Sequence, residues 1–357
     1  MGKKALIAMS GGVDSSVAAF LIKQQGFDCI GVTMKLFSNE DIGISWKKRC
    51  CSMRDVDDAS NAAISIGIPF CVNDFTPDFK RQVIDRFVDT YQNGGTPNPC
   101  IDCNRYIKFT KLYQRAKLLD IDYIVTGHYA RIEKDNESAR YFLKKALDEA
   151  KDQSYVLYSL TQEQLAHTIF PLGKLNKSEV RKIAKTNGFI NAEKQDSQDI
   201  CFVPNGDYAE FIKHYTNKTY EKGDFIDLQG NILGQHDGII RYTIGQRKGL
   251  RISLNKPMYV HSKDIINNTV TLCEDNDLFR KSLEITDLNW IAIENIDKPL
   301  RVKAKIRYNQ TAEWATATKT DSDKVLLEFD EPQRAIAKGQ AAVLYNDDIV
   351  VGGGTIF

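Results

Sequence analysis

No stretch of this chain approaches the roughly 20 consecutive apolar residues that a membrane span needs. The segment Met1 to Met9 carries two lysines and too short an apolar run for a secretory signal. Charge of one sign is missing too. The 48 lysines and arginines against 47 aspartates and glutamates leave a net +1, so any basic surface must be local. Without a signal, eight cysteines do not read as a disulfide framework; in a reducing compartment they are core residues, metal ligands or reactive thiols. No internal period suggests repeats. The dinucleotide fingerprint Gly-x-Gly-x-x-Gly is absent, and no Gly-Lys-Ser/Thr follows the first glycine turn, which excludes a Walker A loop there. What remains is an ordinary globular composition, 42% hydrophobic and 27% charged, long enough for two or three domains. The cytoplasm is the expected compartment.

Residues 5–9 read as a buried strand that meets Ser10, Gly11 and Gly12. A helix follows, opened by Asp14, Ser15 and Ser16 and stopped at Gly26. The glycines let backbone N–H groups close on a phosphate, and the helix dipole favours its charge. Strands expected at 27–34, 69–73 and 123–126 alternate with helices, including amphipathic ones over 79–91 and 106–119. That alternation predicts α/β architecture, parallel βαβ units in a doubly wound sheet. Ligands bind such sheets beyond the carboxyl ends of strands, where the Ser10 turn, Met34 and Gly127-His128 all fall. Met34 would border a nucleotide base or simply end an apolar strand. Residues 39–48 read as a polar irregular loop, 131–144 as a hairpin, and 176–188 as a helix. Asn176 caps that helix, Glu179 completes a capping box and Gly188 stops it. Beyond about Gly206, Gly-rich turns separate short β-type runs, helical periodicity fades, and from Trp290 only strands remain. This predicts a catalytic domain at 1–205, a central β-rich domain at 206–280 and a C-terminal β-barrel at 281–357. Arg301, Lys303, Lys305 and Arg307 alternate onto one strand face, either a row of phosphate contacts or a solvated face.

Residues 94–104 hold two glycines and two prolines, which predicts neither helix nor sheet around the lone Cys100-x-x-Cys103. A zinc site wants four ligands; no second Cys-x-x-Cys exists, and Cys50-Cys51 is wrongly spaced. A loop thiol beside Arg105 and Lys108 suits a reactive thiolate, because cations lower a thiol's pKa. Cys201 lies in a polar loop and is either an exposed thiol or an inert one. Cys29, Cys71 and Cys273 sit inside strands and read as core residues.

Six motifs then occur in order. They are Ser10-Gly11-Gly12-Val13-Asp14-Ser15, Thr96-Pro97-Asn98-Pro99-Cys100-Ile101-Asp102-Cys103-Asn104 with Ile107-Lys108-Phe109, Thr126-Gly127-His128-Tyr129, Lys151-Asp152-Gln153, Asp196-Ser197-Gln198-Asp199-Ile200-Cys201-Phe202 and Thr243-Ile244-Gly245-Gln246-Arg247-Lys248-Gly249. With them the whole chain resembles the bacterial tRNA-specific 2-thiouridylase (MnmA-type) family, within the PP-loop ATP pyrophosphatases. The resemblance implies an adenine nucleotide alpha hydrolase-like first domain. It also implies thiolation of C2 of the wobble uridine, position 34, in tRNAs for Lys, Glu and Gln. ATP would adenylate the 2-oxygen, held by Ala8, Met9, Ser10, Gly11, Gly12, Val13, Asp14 and Ser15. Met34 and Gly127 would border the adenosine, and Mg2+ would screen the phosphates. Cys201 would carry sulfur as a persulfide received from a sulfur-relay protein or cysteine desulfurase. Cys103 would be the partner nucleophile, the two thiols ending as a transient disulfide. Asn98, Pro99 and Cys100 would touch the target base, and His128, Lys151, Asp152, Gln153, Arg307, Tyr308 and Gln340 the tRNA.

One departure stands out. Some family members carry aspartate at the position of Cys100; a thiol there leaves the general base unassigned. It also opens an alternative route through an iron–sulfur cluster on Cys100, Cys103 and Cys201. A more remote alternative is a PP-loop ligase or amidotransferase acting on a small metabolite, which gives Cys103 and Cys201 no task. A non-enzymatic RNA-binding module is a further one, against which the intact Gly11, Gly12, Asp14 and Ser15 argue.

Overall fold

The computed structural model describes residues 2–38, 51–195, 199–203 and 206–357. The loop expected at 39–48, Cys50 and the Asp196-Ser197-Gln198 part of the Cys201 motif lie outside the described residues.

Residues 5–8 form a fully apolar strand because both of its faces are covered. The two-residue period of a strand sends Leu6 and Ala8 into one core and Ala5, Ile7 and Met9 into another. This strand, β1 (Lys4–Ala8), is the middle of five parallel strands with β2 (Asp28–Lys35), β3 (Phe70–Asp74), β4 (Tyr123–Val125) and β7 (Thr168–Ile169). Helices α1 (Val13–Gln24) and α2 (Cys51–Ile66) pack on one face with helix Lys177–Thr186; the helical stretches 76–92 and 99–118 pack on the other. The sheet is therefore doubly wound, as expected. Its spatial order β3-β2-β1-β4-β7 reverses direction between β1 and β4. The crevice beyond their carboxyl ends is the place such a fold offers a ligand.

A hairpin, β5 (Ala130–Lys134) with β6 (Tyr141–Lys145), leaves this sheet and joins the C-terminal barrel, Lys144 pairing with Ile349. The barrel strands are β12 (Phe279–Trp290), β13 (Leu300–Lys305), β14 (Glu313–Asp321), β15 (Lys324–Arg334), β16 (Ala341–Asn346) and β17 (Ile349–Ile356). They run β12-β15-β14-β13-β16-β17 and close through β12 and β17, which removes exposed edges. Tyr158 of the first domain packs so tightly on β17 that a Cβ on Gly353 would lie 2.8 Å from its ring.

Between these units, β8 (Gly223–Ile226), β9 (Ile232–His236), β10 (Tyr259–Asp264) and β11 (Thr269–Cys273) form a four-stranded sheet. One expectation needs correction here. Helix Tyr208–Thr216 opens this region, where short β-type runs were expected and helical periodicity to fade. Asp207 caps it by accepting from the Glu210 N–H at 2.9 Å, and Ala209, Phe211 and Ile212 are buried. Nine residues span too few turns for the apolar period to show. Cys29 and Cys273 are buried as expected, but Cys71 is exposed because β3 lies at the sheet edge. Among the described residues, no helix is long and apolar enough to cross a membrane.

Candidate active site

The Ser10 turn follows β1 into the crevice. Gly11 takes a left-handed φ of +73°, and a Cβ there would meet the Asp55 carbonyl oxygen of α2 at 2.3 Å. Gly12 is the extended residue before α1, and among the described residues a Cβ on it would meet only Ser10 Oγ, at 3.6 Å, so they leave that side open. The helix begins at Val13, so Asp14, Ser15 and Ser16 lie inside its first turn and do not cap it. N–H groups of a first turn have no acceptor within the helix, and the dipole adds positive character. Ser15 Oγ accepts from the Ser10 N–H at 3.1 Å and donates to the Gly12 carbonyl at 3.0 Å, which fixes the turn. Gly127, at the end of β4, closes the other side: a Cβ there would lie 2.8 Å from the Asp14 carbonyl carbon and the Ser15 nitrogen. Ala8, Met9 and Val13 are buried, and Met34 is half-buried beside the core. The Asp14 carboxylate is held by Lys177 at 2.7 and 2.8 Å and by the Tyr129 hydroxyl at 2.8 Å.

The Cys100-x-x-Cys103 segment is helical, contrary to expectation. A helix starts at Pro99, widens to π-type turns over Cys103–Lys111 and continues through Leu112–Leu118. Pro99 occupies the first helical position, where its missing N–H costs nothing. Asn98 caps the helix through Oδ1, which accepts from the Cys100 N–H at 3.2 Å. A three-residue spacing then puts Cys100 and Cys103 on one helix face. Cys103 is buried, whereas Cys100 and Cys201 are exposed residues, and all three are free thiols.

Burial, not the basic neighbours, governs these thiols. It pushes Cys103 up to about 11, and it raises Cys100 and Cys201 as well; Lys108 pulls all three the other way without overcoming it. Charge on Cys103 or Cys100 would raise Cys201 further. The thiolate expected from Arg105 and Lys108 is thus corrected. Arg105 is turned away, forking onto Asp287 of β12 with Nη2 to Oδ1 at 3.0 Å. Asp102, pushed up to about 6 by burial, faces Arg86 at 3.5 Å.

His128, at 8% exposure, is buried between Phe109 and Phe170. Its Nδ1 lies 2.6 Å from Thr126 Oγ1, and its Nε2 lies 3.5 Å from the Lys108 ammonium. Burial and Lys108 push its pKa well down, so it is neutral. An ammonium donating to Nε2 requires the remaining proton on Nδ1. Asp152 receives the Ala146 and Ser154 N–H groups at 3.0 and 3.2 Å, and Gln153 exchanges hydrogen bonds with the Tyr129 backbone. Lys151 is half-exposed beside them. Tyr308 donates to the Asp152 carbonyl at 3.3 Å and feels the charge of Cys100. Arg307 donates to the Ala335 carbonyl, and Gln340 Nε2 donates to the Thr96 carbonyl at 2.8 Å. Arg301, Lys303 and Lys305 do share a face, but Arg301 pairs with Asp330, and Lys305 is half-buried over Tyr155 and Tyr308. Sequence reasoning missed Lys177, Asn191 and Lys194, which belong to no motif and reach the turn from more than 160 residues away.

The comparisons fit this geometry. The family model described as the tRNA methyl transferase HUP domain matches residues 3–205, the PRC-barrel domain of the same series 209–274, and the aminomethyltransferase beta-barrel domain 280–356. The tRNA-specific 2-thiouridylase MnmA of Clostridioides difficile (strain 630) is 53% identical over 356 residues, covering 100% of this chain and 98% of the relative. The chain belongs to the tRNA-specific 2-thiouridylase family. Relatives from Thermoanaerobacter sp. (strain X514), at 51% identity over 99% of this chain and 97% of theirs, and Clostridium acetobutylicum, at 48% over 100% of both, carry the same name. The domain models are described by methyl transfer, but the full-length relatives are named for thiolation. The 2-thiouridylases are tRNA-uridine 2-sulfurtransferases, and this chain thiolates tRNA uridine at C2 with ATP as the PP-loop substrate. The open Gly12 face and the first-turn donors suit ATP phosphates. Among the described residues no three His, Cys, Asp or Glu are gathered to hold a metal.

Proposed function

We propose that the Ser10 turn holds ATP while uridine 34 of the tRNAs for Lys, Glu and Gln is presented, flipped from its stack, to the thiol helix. The observation that supports this is one junction. Gly127 packs on the turn, and the next residue, His128, touches Lys108 two turns along from Cys100. The uridine 2-oxygen attacks the α-phosphorus and pyrophosphate leaves, its charge met by first-turn N–H groups. The terminal sulfur of a Cys201 persulfide attacks C2 and AMP leaves. The Cys103 thiolate then attacks Cys201 Sγ; the persulfide S–S bond breaks, a Cys103–Cys201 disulfide forms, and 2-thiouridine is released. A thiol reductant reopens the disulfide. A sulfur-relay protein or cysteine desulfurase supplies the sulfur. Asp14, Asp55 and Asp58 each face a lysine, so Mg2+ would arrive on the phosphates. The units 1–205, 206–280 and 281–357 divide activation from RNA placement, and the cytoplasm is the setting. Lys145, Lys305, Arg307 and Arg334 lie close enough to influence one another in pairs near Tyr308, the surface that would meet phosphates. Pyrophosphate release assayed with and without tRNA tests the reading. Release should require tRNA with unmodified uridine 34 and survive in Cys103→Ser and Cys201→Ser, which lose thiolation. Full thiolation by the double variant would overturn the roles given to Cys103 and Cys201.

A further inference from the structure

The Gly11–Gly12 peptide has its carbonyl gripped from one side. The Gly11 oxygen accepts from Asn191 Nδ2 at 3.1 Å and from Lys194 Nζ at 3.2 Å. In a trans peptide the carbonyl and the N–H point in opposite directions. The grip therefore aims the Gly12 N–H at the open side of the turn. Glycine on both sides makes this plane easy to flip, and a flip would present an acceptor where a phosphate needs a donor.

Both gripping residues are committed to that task. Asn191 is 5% exposed and gives its amide also to Ser16 Oγ at 2.9 Å, while its Oδ1 is buried with no hydrogen-bond partner among the described residues. Leaving an acceptor unsatisfied is costly, so the amide's donors are what the position keeps. Lys194 is oriented by Asp55 at 2.7 Å and Asp58 at 2.6 Å, both on α2. Arg181 secures the backbone between them, donating to the Ala192 and Lys194 carbonyls at 3.4 and 3.3 Å. Seven residues on comes Cys201, followed by Phe202, which is buried edge-on against Phe79 and Phe87.

We propose that Asn191 and Lys194 are positioning residues that hold the Gly11–Gly12 peptide in its phosphate-binding orientation. The proposal rests on the reading of this turn as the ATP site.

The test uses the full-length enzyme with unmodified tRNA and Lys194→Met, Asn191→Leu and Lys194→Arg variants. Lys185→Met, which removes an exposed ion pair to Glu193, serves as control. KM for ATP should rise about tenfold or more in Lys194→Met and Asn191→Leu, the scale of one hydrogen bond to a charged group. KM for tRNA should stay unchanged, and Lys194→Arg should recover most of the loss. Should Asn191→Leu or Lys194→Met melt too low to assay, Asn191→Ser carries the measurement. KM for ATP within twofold of wild type, or equal rises in both Michaelis constants, overturns the proposal and leaves the ATP reading intact. Wild type that releases no pyrophosphate from ATP overturns the ATP reading itself.

Discussion

Gly11→Ala and Gly26→Ala form a matched pair. Both glycines have positive φ, +73° and +84°, so alanine meets the same left-handed strain at either site, roughly 1–2 kcal/mol. Among the described residues, a Cβ at Gly26 finds nothing within 4 Å. At Gly11 it falls 2.3 Å from the Asp55 oxygen, 2.8 Å from its Cα and 2.9 Å from its carbonyl carbon, all backbone. No rotamer relieves that; the start of α2 must retreat by about 1 Å to restore an ordinary contact. Overpacking of this kind costs about 1–3 kcal/mol more, and it drags Asp55 away from Lys194. Urea unfolding should therefore show Gly26→Ala losing about 1–2 kcal/mol and Gly11→Ala about 2–5. Pyrophosphate release with unmodified tRNA should be nearly normal in the first and reduced at least about tenfold in the second. Equal stability losses with equal activity would refute the reasoning, because only the close approach of α2 separates the two sites.

The remaining expectations concern the thiol helix. Burial holds the Cys103 thiol at about 11 against 9.0, so the folded chain binds its proton more tightly than the unfolded chain. That contribution is complete below pH 9 and lost as pH rises through 11, roughly 2–3 kcal/mol in all. Urea unfolding at pH 8 and 10.5 should show a larger loss in wild type than in Cys103→Ala, where the other raised thiols remain; a Cys103 alkylation midpoint below 8 would contradict it. Gln340→Leu leaves the Thr96 carbonyl without its donor just before the helix cap. Thiolation kcat should fall about tenfold with KM for tRNA near wild type; the opposite split would make Gln340 an RNA contact after all. Arg105→Ala and Asp287→Ala in a double-mutant cycle should show a coupling of roughly 1–3 kcal/mol, and zero coupling would mean the barrel does not hold the thiol helix there.

Much of the catalytic sheet was legible because its signals are local. An apolar run of strand length, a glycine pair and a helix opening share one short window, and the capping box at Asn176 and Glu179 formed as written, with the Asn176 N–H donating to Glu179 at 2.7 Å. The thiol segment was misread by counting its prolines as breakers. Pro97 does lie outside the helix, but Pro99 sits at the first helical position, where its fixed φ helps. The thiolate was misread for another reason: neighbours in sequence are not neighbours in space. Arg105 is two residues from Cys103 and points to the barrel, while Lys108 stays with the thiols and is outweighed by burial. Asn191, Lys194 and Lys177 had no local signal at all. Their function at the turn exists only after the chain has folded back across the sheet.

Burial and mutual repulsion also give the three thiols an order. Each is raised by losing water, and negative charge on Cys103 or Cys100 raises Cys201 further. Lys108 is the cation common to all three, and neutral His128 holds it without competing for its charge. One cation facing three thiols supports one negative sulfur far better than two, so their protons belong to the group as a whole. Negative charge on Cys103 raises Cys201, so within this pair Cys103 is the thiol that gives up its proton first, which suits it to supply the thiolate that attacks Cys201 Sγ.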